Sequence, residues 1–484
     1  MRPLETLLLL ANALAFCVSA VRLPHAVRWA RFMPVIVPPM ALAQVWVEGA
    51  RWQMFPAYAL SGLFFAGWAI RSIAPKDRFG GRGRAHLIAT LPSAIALTIA
   101  IALPTLIPVF HLPHPSGPYE IGTLTYHWVD ANRREVFSAD LNARRELMVQ
   151  IWYPAKGKRS SPHSPYVPNP EALASTARLL HLPKFFFAHL KLVASNAIPG
   201  APAAEEEPNY PVLLFLSGRG GYRQSNTFQV EELVSHGYIV AAADQPYASA
   251  GVVFPGGRLI VMDPRMFDPA HPGHAAFLDE VLPFLAQDVS FALNQLAALD
   301  QADPNGILTG RLDLQHEGIF GVSLGGIVAA ESCLTELRLR ACLVMDAFMP
   351  ADVIRSGLSQ PAMWISRDAR DMRLEGWAQA DIDETQTTMR EVFDHLPGDG
   401  YLVRLPGAFH ANFSDAPLFS PLTRWLGVTG PIDGRRALDA TSAYSLAFFD
   451  RHLKGRREAM LEGPSARFPE VLFESRTAHR GLTP

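Results

Sequence analysis

Residues Gly321-Val322-Ser323-Leu324-Gly325-Gly326 constrain this chain more than any other stretch, because few backbone paths fit them. The apolar run Gly318-Ile319-Phe320 leads in, and Ile327-Val328-Ala329-Ala330-Glu331, which reads as a helix, leads out. A G-x-S-x-G pattern between a strand and a helix is the sequence form of a nucleophile elbow. Small residues two before and two after the serine let the chain turn sharply, so the Ser323 hydroxyl stands clear above a sheet. A Gly-rich turn that merely closes a helix is the plainer alternative.

From about Leu112 the chain supplies such a sheet. Strands are predicted at Leu147–Tyr153, Val212–Leu216 and Ile239–Ala243 before the elbow, and at Ala341–Met345, Ala362–Ile365 and Tyr401–Leu405 after it. Helices are predicted at Phe228–His236, Phe284–Leu299 and Ala443–Leu453. Apolar strands alternating with helices imply a mostly parallel sheet covered on both faces. With an elbow in it, the expected architecture is the α/β-hydrolase fold.

The first 111 residues are of another kind. Apolar segments run at Leu4–Val21, Phe32–Val47, Phe55–Ile70 and Leu87–Phe110. A membrane-spanning helix needs about 20 mainly apolar residues, and internal prolines are tolerated there better than in water. We therefore expect residues 1–111 to form a transmembrane region of about four spans, and residues 112–484 a catalytic domain with a lid-like insertion near 156–208. Val18-Ser19-Ala20 resembles a signal-peptide cleavage site, although Glu5 is out of place in a positively charged leader. Arg22, Arg28 and Arg31 follow the first segment, and Arg71, Lys76, Arg78, Arg82 and Arg84 follow the third. If these loops are cytoplasmic, everything after the fourth segment lies outside the cytoplasm of a plasma membrane.

A net charge of −2 argues against a nucleic-acid partner. Three cysteines cannot build a disulfide framework, and Cys333 and Cys342 read as small core residues. No metal-ligand spacing occurs, so neither metal nor organic cofactor is implied. The oligomeric state is left open.

Several stretches resemble the platelet-activating factor acetylhydrolase family, plasma and isoform II type. Gly117-Pro118-Tyr119-Glu120-Ile121-Gly122 is similar to its G-P-Y-x-V-G segment, and Ile151-Trp152-Tyr153-Pro154 to its L-Y-Y-P strand. Leu233 to Ala242 resembles L-A-S-H-G-F-I-V-A-A, Leu343 to Met349 contains a counterpart of L-D-A-W-M, and His410 to Asp415 matches H-x-N-F-x-D. The resemblance covers about residues 112–455. The apolar N-terminus resembles an extension found on bacterial relatives.

A serine hydroxyl needs a base, and the base a third group to orient it, taken in this fold in the order Ser, acid, His. His410, past the Tyr401–Leu405 strand, is the candidate base. Two acids follow the elbow: Asp346 at the end of one strand, and Asp371 (with Asp368) after the next. The resemblance favours Asp346, and the charged run Ser366 to Asp371 reads more simply as a solvated loop. An oxyanion needs two preset N–H donors. Leu324, directly after the serine, is one. The family's H-G-x-G loop implies Arg219 as the other, within Ser217-Gly218-Arg219-Gly220-Gly221-Tyr222, where Ser217 replaces the family's His. The segment Leu179–Ala197, with Phe185-Phe186-Phe187 beside Lys184 and Lys191, reads as an apolar helix; the resemblance implies that this region approaches membrane lipid and shapes the substrate entrance, and a plain lid or packing helix is the alternative. The resemblance implies a serine esterase for short-acyl esters, phospholipids among them. The alternatives are a general carboxylesterase or dienelactone-type hydrolase, or an inactive membrane-tethered binding module.

Overall fold

The computed structural model describes residues 1–20, 25–73, 82–157, 162–266 and 274–477, which group into two compact units. One unit is Met1–Phe110 with Ala188–Val193 and Phe419–Leu422; the other is the rest of the chain from His111. Arg22, Lys76, Arg78 and Ser160 lie outside the described residues.

The first unit is helical: α1 (Pro3–Ala20), α2 (Met33–Glu48), α3 (Phe55–Ile73) and α4 (Arg82–Leu106). Leu8, Val37, Met54, Leu60 and Phe64 pack inside it. The outward faces are apolar too, with Leu42, Trp46, Leu63 and Ile73 largely exposed. Four spans were expected. Among the described residues two segments, Pro3–Ala20 and Trp29–Glu48, are long and apolar enough to cross a membrane by length and composition, while Thr90–Leu106 is apolar but shorter.

Polar side chains inside this unit find partners. Arg51 donates from Nε to Glu5 Oε1 at 2.6 Å and from Nη2 to Glu5 Oε2 at 2.8 Å, and its Nη1 reaches Ile107 O at 2.6 Å. Glu48 Oε1 accepts from Leu4 N–H at 2.7 Å, satisfying a donor at the start of α1. Glu5, the residue that fits a leader badly, is thus one half of a buried ion pair.

Among the described residues the second unit has twelve strands: β1 (Glu120–Arg134), β2 (Arg144–Ala155), β3 (Ala197–Pro199), β4 (Tyr210–Leu216), β5 (Ile239–Asp244), β6 (Gly251–Val253), β7 (Leu259–Val261), β8 (Leu312–Val322), β9 (Leu339–Met345), β10 (Ala362–Ser366), β11 (Gly400–Arg404) and β12 (Leu472–Arg476). Ten form one sheet in the order β12-β11-β10-β9-β8-β4-β5-β2-β1-β3, and β6 pairs with β7 apart from it. Pairings from β5 across to β11 are all parallel, and antiparallel neighbours close both sides.

Its helices are α5 (Pro170–Leu179), α6 (Thr227–Ser235), α7 (His274–Gln301), α8 (Leu324–Thr335), α9 (Ala351–Ser356), α10 (Ala369–Glu375), α11 (Gln379–His395), α12 (Ala416–Phe419) and α13 (Gly434–Leu453). Side chains alternate across a strand, so a strand buried on both faces must be apolar throughout. β4 shows why. Leu214 and Leu216 join the layer of α7 and α8, including Leu293 and Val328, while Leu213 and Phe215 join that of α6 and α13, including Val234 and Phe449.

The expected helix over Leu179–Ala197 is absent. His181 turns through φ 54° and Pro183 disfavours helix at Leu182, so the segment continues as turns and a 3-10 stretch, Ala188–Leu192.

Candidate active site

Each candidate side chain follows the last residue of a parallel strand, and the strand ends are stapled to one another. Ser323, just past β8, donates its N–H to Met345 O at 2.9 Å. Asp346, just past β9, donates to Ile365 O at 2.9 Å. Leu405, just past β11, donates to Ser366 O at 2.9 Å and starts the loop that carries His410. Parallel register therefore puts serine, acid and histidine loop along one edge of the sheet.

Ser323 sits at φ 55°, ψ −126°, outside the usual regions for a side-chain-bearing residue. The turn needs its glycines for space. A Cβ on Gly321 would lie 2.2 Å from Gly325 O, and one on Gly325 would lie 2.1 Å from Leu216 O. The Ser217–Tyr222 loop borders the hydroxyl, since a Cβ on Gly218 would come within 3.8 Å of Ser323 Oγ. Arg219 follows Gly218 in that loop and donates its guanidinium to Met266 O, while Leu324 opens α8.

His410 Nδ1 lies 2.6 Å from Asp346 Oδ2. An ionised carboxylate only accepts, so Nδ1 carries the hydrogen and Nε2 keeps its lone pair. Asp346 is buried and also has positive φ, 45°. Burial pushes its carboxyl up, but the His410 hydrogen bond and the Arg367 charge outweigh that and hold it below the usual carboxylate range. Asp371, the other candidate acid, points elsewhere: its Oδ2 accepts from Gly407 N–H at 2.7 Å.

The run Ser366 to Asp371, expected to be a solvated loop, is so only in part: Ser366, Arg367 and Asp371 are buried, while Arg370 is exposed. Arg367 is fully buried, and its Nε donates to Asp346 Oδ2 at 2.9 Å and Oδ1 at 3.1 Å. Ser366 Oγ donates to Asp346 Oδ1 at 3.2 Å. Arg367 Nη1 pairs with Glu375 Oε2, which also accepts from His410 N–H at 3.1 Å. The Trp377 ring covers the guanidinium at 4.5 Å and faces the His410 ring at 5.3 Å. The missed signal is position, for Arg367 directly follows five wholly buried strand residues.

Two further residues of the His410 segment do structural duty. Asn412 Oδ1 accepts from Phe409 N–H at 2.8 Å and Gly430 N–H at 2.7 Å, fixing the turn. Asp415 accepts from Thr227 N–H at 2.8 Å and Phe228 N–H at 3.1 Å at the start of α6, and from Tyr166 OH at 2.9 Å. Burial pushes the Asp415 carboxyl up to about 7 against those donors.

A family model described as "Platelet-activating factor acetylhydrolase, isoform II" matches residues 107–254 and 290–462. A protein of Arthroderma benhamiae named "Probable 1-alkyl-2-acetylglycerophosphocholine esterase" is 25% identical over 403 residues, covering 78% of this chain and 97% of that one. The platelet-activating factor acetylhydrolase of Cavia porcellus is 24% identical over 365 residues, 71% of this chain and 78% of its own. Among solved structures, a ferulic acid esterase from Streptomyces cinnamoneus superposes with a TM-score of 0.60 at 30% identity, covering 76% of this chain and 99% of the esterase. The chain is a carboxylic ester hydrolase, and it belongs to the platelet-activating factor acetylhydrolase isoform II family.

Proposed function

We propose that this enzyme cleaves short-acyl esters, phospholipid esters among them, through a triad of Ser323, His410 and Asp346. The observation that carries the reading is the 2.6 Å contact between His410 and Asp346, together with a serine held at positive φ whose N–H is bound to Met345 O, the residue before Asp346. Ser323 Oγ attacks the ester carbonyl carbon while His410 Nε2 takes its proton. The backbone N–H groups of Leu324 and Arg219 hold the oxyanion, each worth about 10²–10³ in rate. His410 then protonates the departing alcohol, leaving Ser323 acylated. A water molecule, deprotonated by the same Nε2, attacks the acyl carbon and releases the carboxylic acid with Ser323 restored. Asp346 fixes the tautomer and stabilises the imidazolium that forms in each half-reaction.

The N-terminal helices are read as a multi-pass anchor of about four spans, with the esterase unit on the outer side of the plasma membrane. Their outward Leu42, Trp46, Leu63 and Ile73 support contact with lipid, and the Arg-bearing loops support the orientation. A membrane-impermeant fluorophosphonate tests site and address together. It is expected to label intact cells and to lose the label in Ser323→Ala. Labelling that survives the substitution contradicts the triad, and labelling only after lysis reverses the orientation.

The likeness to a ferulic acid esterase favours a second reading, in which the preferred acyl group is aromatic. Initial rates on p-nitrophenyl acetate, a short-chain sn-2 phospholipid and methyl ferulate separate the two. The first reading expects the acetyl ester and the phospholipid to be cleaved faster than the ferulate.

A further inference from the structure

We propose that Arg367 and Glu375 are positioning residues that set the charge His410 experiences, acting through Asp346 and the His410 backbone. The inference rests on the triad reading above and extends it. Alone, a guanidinium whose Nε sits 2.9 and 3.1 Å from the two oxygens of Asp346 would neutralise that carboxylate. An imidazolium forming at His410 would then face a neutral pair. Glu375 corrects this. Its Oε2 binds Arg367 Nη1 and accepts the His410 N–H at 3.1 Å, so the trio Asp346, Arg367 and Glu375 carries a net charge of −1, as a lone triad carboxylate would.

The contacts close a ring. It runs from the His410 imidazole to Asp346, to Arg367, to Glu375 and back to the His410 backbone. Arg367 is fully buried and Asp346 nearly so, and Trp377 packs over both the guanidinium and the imidazole, so solvent screens the trio weakly. Other polar groups of these segments and of the oxyanion loop have partners of their own, Arg219 giving its guanidinium to Met266 O. Ser366 donates to Asp346, Asp371 holds Gly407 N–H, and Asp415 holds the start of α6 and Tyr166. On α10, Arg370 and Arg373 are exposed, and Ser323 is uncharged.

The test is the pH profile of kcat/KM on p-nitrophenyl acetate, whose acidic limb reports the protonation of the free enzyme's base. Glu375→Gln keeps an acceptor for His410 N–H but removes the charge, so the limb is expected to move to lower pH by about one unit. Arg367→Met removes the opposite charge, and the limb is expected to move to higher pH. Glu375→Asp, which keeps the charge, and the double variant Arg367→Met/Glu375→Gln, which leaves Asp346 alone, are expected to bring the limb back toward that of the parent. A merely structural role predicts a double variant worse than either single one and no opposed shifts. If Arg367→Met does not fold, the Gln and Asp variants of Glu375 still carry the sign. With Ser323→Ala inactive, an unmoved limb in Glu375→Gln, or shifts of one sign in both single variants, overturns this inference and leaves the triad standing. Turnover retained in Ser323→Ala overturns both.

Discussion

The helical unit and the esterase unit each bury an arginine against a carboxylate, and the two pairs are completed differently. Glu5 gives both oxygens to Arg51 and to Arg2, while Arg51 spends a further donor on Ile107 O, so the cluster is closed on itself. Asp346 shares Arg367 with Glu375 and turns its Oδ2 toward an imidazole. A buried pair with every hydrogen bond satisfied holds chain segments together and has no proton to move. A buried pair with a histidine as third partner can hold a proton in transit. The same pairing of guanidinium and carboxylate thus serves as a fastening in one unit and, on the proposed triad, as part of a reaction site in the other.

The largest expected effect breaks the second pair at its acid. Asp346→Asn presents an amide to His410 and favours the wrong tautomer, so kcat is expected to fall by about 10⁴-fold with the fold intact, as steady-state kinetics and circular dichroism would register. A loss below about tenfold would remove Asp346 from the site.

Breaking the first pair is expected to act on stability alone. Arg51→Met removes two of the hydrogen bonds to the Glu5 carboxylate and leaves Arg2 as its partner, so the cost is expected to fall below the about 3–5 kcal/mol of a buried charge left wholly unpaired. Thermal unfolding in detergent should show the helical unit melting earlier, while kcat on a soluble ester stays within about twofold of the parent. Loss of hydrolysis together with the melting shift would erase the contrast between the pairs.

His452 sharpens the comparison, because it is half-buried against a neutral partner, with its Nε2 3.1 Å from Tyr401 OH. Burial pulls it down to about 4. Unfolded, it would titrate near about 6.5. Its folded value is the lower one, so the unfolded chain binds the extra proton first as pH falls. The stability it permits is whole above pH about 6.5 and is lost progressively down to pH about 4, by about 3 kcal/mol. Chemical denaturation of His452→Phe should show that part of the acid slope removed.

The smallest effect is expected at Asp371. Asparagine can still accept from Gly407 N–H, so Asp371→Asn should cost less than about tenfold in kcat/KM. A loss as large as that of Asp346→Asn would exchange the two acids.

The elbow and the strands around it were legible because each rests on a short-range rule, glycine spacing and two-faced apolar strands, whereas the preference for Asp346 as the partner of His410, 64 residues away, came from the family resemblance. What escaped rests on distant contacts. β1 alternates apolar and polar residues and β12 is short and charged, so neither shows an apolar run. Arg367 looked like surface charge because its partner Asp346 stands at the end of β9, which no local pattern connects to it. Glu5 looked out of place in a positively charged leader, and its partner stands 46 residues away.

Acid-quenching the enzyme during turnover of p-nitrophenyl acetate and mapping its peptides by mass spectrometry tests most directly whether Ser323 itself takes the acyl group. One added acetyl group is expected on the peptide containing Ser323, and none anywhere in Ser323→Ala. An acetyl group on another residue that persists in Ser323→Ala, with turnover retained, would contradict that role for Ser323.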